Sequence, residues 1–441
     1  MRNDTIVAQA SAVGAAGVAV VRVSGPLVPE IIAKLKLSLK PRYAKFAALT
    51  TKDSAVIDHG LWLYFQAPNS FTGEHVLEFQ GHGNHWVIAA VIQRFCELGC
   101  RLAEPGEFSK RAFLNDKIDL VQAEAIADLV SASSEVAAKM ALSSLSGKFS
   151  ELVNILLESV ITCRVELEAA MDFPEEDFEP AAQAVLKSKL INIAEQLANV
   201  LVAAERGALL QSGIEVVLLG PPNVGKSSLF NALLGRSEAI VTNIAGTTRD
   251  VLKQECRIGS ATITLQDTAG IRSSEDEVEQ QGITRALERV QSAKLVIIVL
   301  DERHTELDHK NFMQEFAVTD DKIILKVWNK IDLINDATSL DGVLLSAKTG
   351  QGLNDLIIAL EKALADFVGV EDGFLARARH VNALKAAAMH THAALAAMSE
   401  SAWELAAEDC RLLQRELNNI TGEFTNEDLL TRIFSSFCIG K

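Results

Sequence analysis

Short apolar runs and one helical run organise the first quarter of the chain. The runs GVAVVRVSG, LWLYFQ and HVLEFQGHG have the length and composition of β-strands. The following segment, HWVIAAVIQRFCELG, has apolar residues at helical spacing. This pattern predicts a small α/β domain over residues 1–117.

The pattern changes to long helix after this point. Between Ile118 and Met171 the apolar positions recur every three or four residues without a proline, which predicts one long helix. The acidic segment DFPEEDFEP then interrupts it, and a second helix is predicted from Ala181 to Arg206. Helical spacing returns after Gly373, in three segments separated near Ser399 and at Thr421–Gly422. We predict a helical domain made of two parts, residues 118–211 and 374–441.

Between these two parts, buried strands alternate with helices. The strands are IEVVLLG, ATITLQD, KLVIIVLD, KIILKVWN and GVLLS, and a helix from Leu353 to Phe367 follows the last one. This βαβ order predicts a mostly parallel sheet with helices on both faces. The fold class expected is therefore multidomain, α/β plus all-α, with an α/β domain over residues 212–373 inserted into the helical domain.

Composition limits the classes of partner and the compartment. A net charge of -16 argues against a protein that grips nucleic acid through bulk positive charge, so any RNA contact must be local or shared with a partner. Six cysteines without a CxxC pair fit a reducing compartment. The start MRNDTIVAQA does not resemble a secretory signal, and no apolar run approaches the length of a bilayer span. We expect a cytoplasmic protein with no membrane contact.

The strand IEVVLLG leads directly into GPPNVGKS (Gly220–Ser227) and then into a helical run. This is the arrangement of a P-loop, in which glycines let backbone N–H groups and the helix N-terminus approach phosphates. Lys226 is expected to neutralise β- and γ-phosphate oxygens, and the Ser227 hydroxyl to bind Mg²⁺.

Two further segments complete the expected phosphate and metal site. GTTRD follows at the distance of a switch segment, where Thr248 can bind Mg²⁺ and sense the γ-phosphate. DTAG ends the strand ATITLQ; Asp267 would hold Mg²⁺ through water, and Gly270 would offer its N–H to the γ-phosphate.

The base is expected to be guanine. NKID ends another strand, and the Asp332 carboxylate can accept a ring N–H and an exocyclic amine proton of guanine, a pair that adenine does not supply. SAK adds a backbone donor for the base carbonyl. The ordered series predicts a GTP site formed by Asn223, Val224, Gly225, Lys226, Ser227, Ser228, Thr242, Asn243, Ile244, Ala245, Gly246, Thr247, Thr248, Asp267, Thr268, Ala269, Gly270, Asn329, Lys330, Asp332, Ser346, Ala347 and Lys348.

The residue that orients water is not obvious from the motifs. Ile271 follows DTAG where Ras-like proteins place a glutamine, and an aliphatic side chain cannot orient water. The acidic stretch SSEDEVEQQG offers candidates, although a solvent-exposed helix start would also explain any one of its carboxylates. Arg249 and Arg272 are possible charge stabilisers, and surface ion pairing is an equally good account of them.

Several long motifs resemble one known family. DTIVAQA, PNSFTGEHVLEFQGHG, PGEFSKRAFLNDKIDL, GPPNVGKSSLFNAL, IAGTTRD, DTAGIR and the terminal FTNEDLLTRIFSSFCIGK are similar to the bacterial tRNA modification GTPase MnmE (TrmE) family over nearly the full length. The resemblance implies an N-terminal folate-binding domain that also dimerises, a helical bundle domain and an inserted Ras-like P-loop G domain.

The resemblance also implies an activity, cofactors and partners. Together with an FAD-dependent partner, MnmG (GidA), a family member forms the 5-aminomethyl or 5-carboxymethylaminomethyl group on the wobble uridine of certain tRNAs. The one-carbon unit comes from a tetrahydrofolate derivative in its 5-formyl or methylene form. The FAD is expected on the partner, the protein is expected to be a homodimer, and tRNA is expected to be held mainly by MnmG.

For hydrolysis, the resemblance implies activation by potassium. Its expected ligands come from Asn223, Thr242, Ile244 and Thr247, and Glu279 matches the acid that orients water. A cation there would neutralise developing phosphate charge in place of an arginine finger. With Lys226 and Thr248, Glu279 completes the catalytic set expected for GTP.

For the folate, the family pattern carries over to Arg22, Glu78, Lys117 and Lys441. Without the resemblance, Arg22 and Lys117 would be interpreted as surface charges, and Glu78 as an outward residue of a strand. Cys438 lies near the folate in the family motif and is our candidate for a catalytic role in the modification, whereas burial statistics favour a packed thiol.

One alternative of another class stays open. A regulatory GTPase that switches between partners, such as ribosome precursors, would carry the same G domain without organising covalent chemistry. The N-terminal domain and FCIGK separate the two hypotheses, because an assembly switch has no evident use for them.

Overall fold

The computed structural model describes most of the chain. The described residues are 4–172, 180–236, 238–239, 253–259, 261–267, 287–316, 318–319, 322–333, 340–368, 373–422, 430, 433–435, 437–438 and 440. The chain forms two compact units, one made of Met1–Ala127, Leu145–Ala194 and Ala386–Lys441, the other of Asp128–Ser144 and Glu195–Lys385. The domain boundaries drawn from the sequence remain a prediction.

A six-stranded sheet forms the centre of the first unit. Its order is β3-β4-β5-β2-β1-β6, with antiparallel pairing throughout except for the parallel pair β1 and β6. The strands are β1 Ile6–Gln9, β2 Ala16–Ser24, β3 Lys45–Thr50, β4 Val56–Phe65, β5 Val76–Gly83 and β6 Arg101–Leu102.

One face of this sheet packs against two helices, α1 (Val28–Lys34) and α2 (His85–Glu97). The side chains of Trp62 and Phe79 fill the core between them, with ring centroids 4.7 Å apart. Asn84 starts α2, since its side chain accepts from two backbone N–H groups of the first turn. A further helix, α3 (Glu107–Leu114), contributes Phe108 to a small cluster with residues of β1.

The single long helix predicted from Ile118 to Met171 is wrong, because the structure has three. These are α4 (Leu120–Ser131), α5 (Glu135–Leu145) and α6 (Lys148–Asp172). Ser134 caps the start of α5, since its hydroxyl accepts from the N–H of Ala137. Gly147, in the left-handed region at φ 94°, separates the second from the third. Apolar spacing continues through both breaks, which explains the error.

Three other long helices follow the prediction more closely. Helix α7 runs over Pro180–Ser212 and so continues beyond the expected end at Arg206. The last two helices meet near Ser399 as predicted: α11 is Ala378–Ser399 and α12 is Trp403–Thr421. Within the part of the chain that is described, we find no helix that combines the length and the apolar composition needed to cross a bilayer.

A seven-stranded sheet forms the centre of the second unit. Its order is β13-β12-β11-β7-β10-β9-β8, and the five strands from β13 to β10 are parallel. The antiparallel strands β8 and β9 were not predicted. The strands are β7 Ile214–Leu219, β8 Glu238–Ala239, β9 Lys253–Ile258, β10 Ala261–Asp267, β11 Leu295–Leu300, β12 Ile323–Trp328 and β13 Val343–Leu344.

Helices cover both faces of this sheet, as the sequence predicted. On one face Val216 and Leu218 pack with α8 (Lys226–Arg236) and α10 (Leu353–Val368). On the other face Val217 and Leu219 belong to a cluster that includes Phe312 of α9 (Glu306–Glu315) and Phe316, which follows it. Strands buried on both faces explain the continuous apolar runs in the sequence.

Candidate functional site

The candidate nucleotide site lies at the end of the central strand β7. This strand is paired with β10 on one side and β11 on the other, and α8 begins at Lys226 after a six-residue turn. The first-turn N–H groups of a helix have no partner within it and favour an anion. A loop at this edge of a parallel sheet is therefore placed to bind phosphate.

Lys226 directs its ammonium group into the loop. Its side chain is buried, and Nζ donates to the carbonyl oxygens of Gly220 at 2.7 Å and Pro221 at 2.8 Å. A cation held by two carbonyl oxygens of the loop fits the Lys226 role expected from the motif. Phosphate oxygens would be stronger acceptors for this ammonium group than carbonyl oxygens.

Gly225 lets the loop approach the strand that carries Asn329. Its φ of 93° lies in the left-handed region, and a Cβ atom at this position would collide with the Asn329 side chain. Asn329 is buried, and its Nδ2 donates to the Val224 carbonyl at 2.8 Å. The loop and the end of β12 are thus fixed to one another.

The same asparagine also holds the loop that carries Ser346 and Ala347. Its Oδ1 accepts from the Ala347 N–H at 2.9 Å. Ser346 is fully buried, and its hydroxyl accepts from the N–H of Thr349 at 3.2 Å, which closes the turn. Asn329 therefore connects three of the motifs that the sequence assigned to one site.

Lys330 makes a second connection to the phosphate loop. Its Nζ donates to the carbonyl of Asn223 at 2.6 Å and to the carboxylate of Asp301 at 2.8 Å. Asp301 follows β11 and is only 1% exposed. Sequence analysis missed Asp301, although an acid directly after the apolar run LVIIVL, at the edge that carries the loop, was a usable signal.

Several donors keep Asp301 ionised. Arg303 bonds both carboxylate oxygens, and His304 Nδ1 lies 2.8 Å from Oδ1. Burial alone raises the pKa of this carboxyl, but hydrogen bonds from Arg303, Lys330 and His304 outweigh it and hold the pKa well below its usual range. A permanently charged carboxylate thus anchors Lys330.

Four other predicted GTP-binding residues are exposed to solvent at the same site. Ser227 and Ser228 lie in the first turn of α8, Asp332 lies in a short 3₁₀ helix (Ile331–Leu333), and Lys348 lies in the turn after Ala347. The exposed serine hydroxyls are accessible to a metal ion, and the exposed Asp332 carboxylate is accessible to a nucleobase.

Some predicted residues lie outside the described part of the chain. Asp267 is the last residue of β10, next to β7, and only its strand position is described. The predicted residues that lie entirely outside the described part are Thr242, Asn243, Ile244, Ala245, Gly246, Thr247, Thr248, Thr268, Ala269, Gly270, Glu279 and Lys441.

A second site surrounds Arg22 in the N-terminal sheet. Arg22 and Glu78 face one another on β2 and β5, and Nε of Arg22 donates to the Glu78 carboxylate at 2.9 Å. The guanidinium carbon lies 5.8 Å from the ring centroid of Phe71 and 5.7 Å from that of Phe108. The predicted folate residues Arg22 and Glu78 are thus an ion pair beside two aromatic rings, which sequence analysis did not name.

The other predicted folate residues lie on neighbouring segments. Lys117 is exposed, and a Cβ at Gly73 would lie 3.2 Å from its Cε, so its stem runs beside the loop that follows Phe71. Cys438 is exposed, and its carbonyl accepts from the N–H of Gly106, next to α3. The tail therefore lies near the helix that carries Phe108.

Comparisons with known proteins agree with these motifs. The family model described as GTP-binding protein TrmE N-terminus matches residues 5–117, and the MnmE helical domain model matches residues 120–438. A crystal structure of Era in complex with MgGDPNP and a segment of 16S ribosomal RNA covers 34% of this chain and 56% of its own, at 27% identity and a TM-score of 0.28, from which we draw no conclusion.

Curated relatives match this chain from end to end. The tRNA modification GTPase MnmE of Histophilus somni (strain 2336) is 47% identical over 454 residues. The proteins of the same name from Mannheimia succiniciproducens and Haemophilus influenzae (strain PittEE) are each 47% identical, over 455 and 451 residues. All three alignments cover 100% of both chains. The chain belongs to the MnmE family of tRNA modification GTPases.

Proposed function

We propose that this protein hydrolyses GTP as part of an enzyme that modifies wobble uridine in tRNA. The observation that carries the proposal is identity of 47% over the entire length with proteins named tRNA modification GTPase MnmE. It is supported by the Asn329 and Lys330 contacts, which join the phosphate loop to the base-binding motifs.

The residues of the loop fit a nucleoside triphosphate and Mg²⁺. Lys226 would exchange its carbonyl partners for β- and γ-phosphate oxygens, and Ser227 with Thr248 would hold Mg²⁺ through their hydroxyls. When bound, Mg²⁺ neutralises charge on these phosphates. Asp332, exposed beside Lys330, would accept the N–H groups of guanine.

Potassium activation belongs to the same proposal. Asn223 has φ 65°, and its carbonyl accepts a hydrogen bond from Lys330. The residue is exposed, so the Asn223 side chain lies at the outer surface of the loop. We propose that this side chain binds K⁺ together with oxygens of Thr242, Ile244 and Thr247. Glu279 would orient the attacking water, in place of the glutamine that Ile271 replaces.

A tetrahydrofolate derivative, in its 5-formyl or methylene form, is proposed at the Arg22 site. The Glu78 carboxylate suits the N–H donors of a pterin, and the rings of Phe71 and Phe108 offer apolar walls. Lys117 and Lys441 would bind acidic groups of the folate. Cys438 is proposed to act near the one-carbon unit.

The proposed assembly is a homodimer that works with FAD-carrying MnmG in the cytoplasm. MnmG would hold most of the tRNA, since this chain is acidic. The domain division proposed for this assembly is the one drawn from the sequence, residues 1–117, 118–211 with 374–441, and 212–373.

Nucleoside analysis of tRNA tests the proposal. Cells that lack the protein should lose the 5-carboxymethylaminomethyl group on wobble uridine, and wild-type protein should restore it while Lys226→Ala should not. The purified protein should hydrolyse GTP faster in KCl than in NaCl. A normal wobble base in the deletion strain would refute the modification role and favour the assembly-switch alternative, whereas equal rates in both salts would refute the K⁺ site alone.

A further inference from the structure

One segment of this acidic chain is strongly basic. Between Glu30 and Asp53 the sequence holds no acidic residue, whereas the chain as a whole has 58 acidic residues against 42 basic ones. The basic residues of this interval are Lys34, Lys36, Lys40, Arg42, Lys45 and Lys52. Five of the six lie between Lys34, the last residue of α1, and Phe46, the second residue of β3, and we name residues 34–46 the basic edge.

The charges of the basic edge are not neutralised by the protein. Among the residues that the structure describes, no carboxylate forms an ion pair with its lysines or with Arg42, although Arg22, Arg101 and Arg111 of the same unit all have such partners. Lys34, Lys36, Lys40 and Arg42 are exposed. The lack of carboxylate partners leaves the charge of these exposed cations available to a negatively charged ligand.

Exposed aromatic rings accompany these cations. Tyr43 is 60% exposed and Phe46 is 67% exposed. Lys40 lies over the Tyr43 ring at 4.2 Å, and the Phe46 ring stacks with that of His59, with centroids 6.1 Å apart and planes 21° apart. Exposed rings beside cations offer flat faces on which bases can stack.

The segment is also held in a defined conformation. It leads into β3, which is one of the two edge strands of the sheet. Arg42 has φ 65°, its N–H donates to the Tyr64 carbonyl at 2.8 Å, and its guanidinium donates to the Asn69 carbonyl at 3.1 Å. An ordered surface loses less conformational entropy when it binds a ligand.

We propose that the basic edge binds the phosphates and unpaired bases of an RNA loop, and that this RNA is tRNA. Cations without carboxylate partners fit phosphates, and exposed rings fit bases that are not stacked in a duplex. The pairing of backbone-facing cations with rings on which bases stack is the arrangement of surfaces that bind single-stranded nucleic acid, which favours RNA over an acidic protein. The inference deepens the proposed function, on which the choice of tRNA rests.

Binding of tRNA to the full-length protein over a series of KCl concentrations tests this surface. The double variant Lys36→Glu, Lys40→Glu should lower affinity at least tenfold and reduce the slope of log K against log salt by about 1.4–1.8, because each phosphate contact contributes roughly 0.7–0.9. Phe46→Ala should lower affinity about tenfold with an unchanged slope, since stacking is not ionic.

The matched control makes the same change in net charge, with two Lys→Glu substitutions, in the second compact unit. Lys310 and Lys362 are exposed lysines on α9 and α10, and Lys310→Glu, Lys362→Glu should keep the wild-type slope. All variants should retain GTP hydrolysis and the wild-type thermal midpoint, which shows that they fold.

Three results would overturn the proposal: wild-type affinity and slope in the basic-edge variant, equal losses in the control, or loss of MnmG binding with tRNA binding intact. None of these results would refute the proposed function, provided that the wild-type protein restores the modification of wobble uridine in cells that lack it. A protein that fails to hydrolyse GTP but binds tRNA through this segment would refute the proposed function alone.

Discussion

Two buried polar side chains determine how the phosphate loop is held. Asn329 bonds the loop carbonyl of Val224 and the N–H of Ala347, and Asp301 anchors Lys330, which bonds the loop at Asn223. The NKID motif predicted Asn329 and Lys330. It did not predict Asp301, because the partner of Lys330 depends on which strand end lies next to it in the sheet.

Replacement of Asp301 by asparagine tests this anchor. The change removes the charge that holds Lys330 and Arg303, so it should destabilise the protein by about 2–3 kcal/mol and weaken GTP binding. Urea denaturation and nucleotide titration measure the two effects. Asp341→Asn is the control, because Asp341 is 92% exposed and 3.4 Å from Lys326, and should cost less than about 1 kcal/mol. Equal losses in both variants would show that Asp301 has no special role.

Strands could be predicted from the sequence where their side chains are buried along the whole strand. All five predicted strands of the second sheet are present, and the clearest apolar runs belong to β7 and β11, which are buried almost throughout. The short strand β1 and the half-exposed strand β3 give no such run. The breaks between α4, α5 and α6 escaped prediction because they depend on a serine cap and a glycine, while the apolar spacing continues.

The turn between β7 and α8 gives a prediction at the scale of the element. Gly225→Ala should abolish GTP binding, because its Cβ would collide with Asn329 and its φ of 93° suits glycine alone. Gly235→Ala in the following helix α8 is the control, since a Cβ there meets no atom within 4 Å and alanine favours helix by about 1 kcal/mol. Nucleotide titration with thermal unfolding distinguishes them. Tight GTP binding by Gly225→Ala would contradict the proposed loop geometry.

Across the N-terminal unit, an ionic network joins segments that are distant in sequence. Arg101 and Arg111 bond the carboxylates of Asp4 and Glu107, and Arg111 also bonds Glu74. Burial raises the pKa of both Asp4 and Glu107, but the arginine hydrogen bonds outweigh it and lower the pKa below the ordinary values of 3.8 and 4.5. This network could not be predicted, because the motifs that contain Asp4, Glu74, Glu107 and Arg111 do not show which of these charges pair in the fold.

The network predicts how stability depends on pH. Carboxyl groups with a lowered pKa in the folded state contribute stability above their ordinary pKa and lose it as pH falls through the folded value. Hydrogen exchange of α3 amides should therefore stay slow from pH 8 to about pH 5, after correction for the intrinsic rate, and become faster below about pH 4.5. Glu107→Gln should accelerate exchange already at pH 7 and flatten the dependence. A flat wild-type profile down to pH 3 would contradict the role of these carboxylates.

Nucleotide selectivity tests the central claim most directly, because the account rests on guanine being bound beside a phosphate loop. The wild-type protein should bind GTP and not ATP in a competitive titration. In Asp332→Asn the side-chain amide can donate to the second carbonyl of xanthine, so this variant should prefer XTP to GTP. Equal binding of ATP and GTP by the wild-type protein, or unchanged GTP preference in Asp332→Asn, would contradict the account.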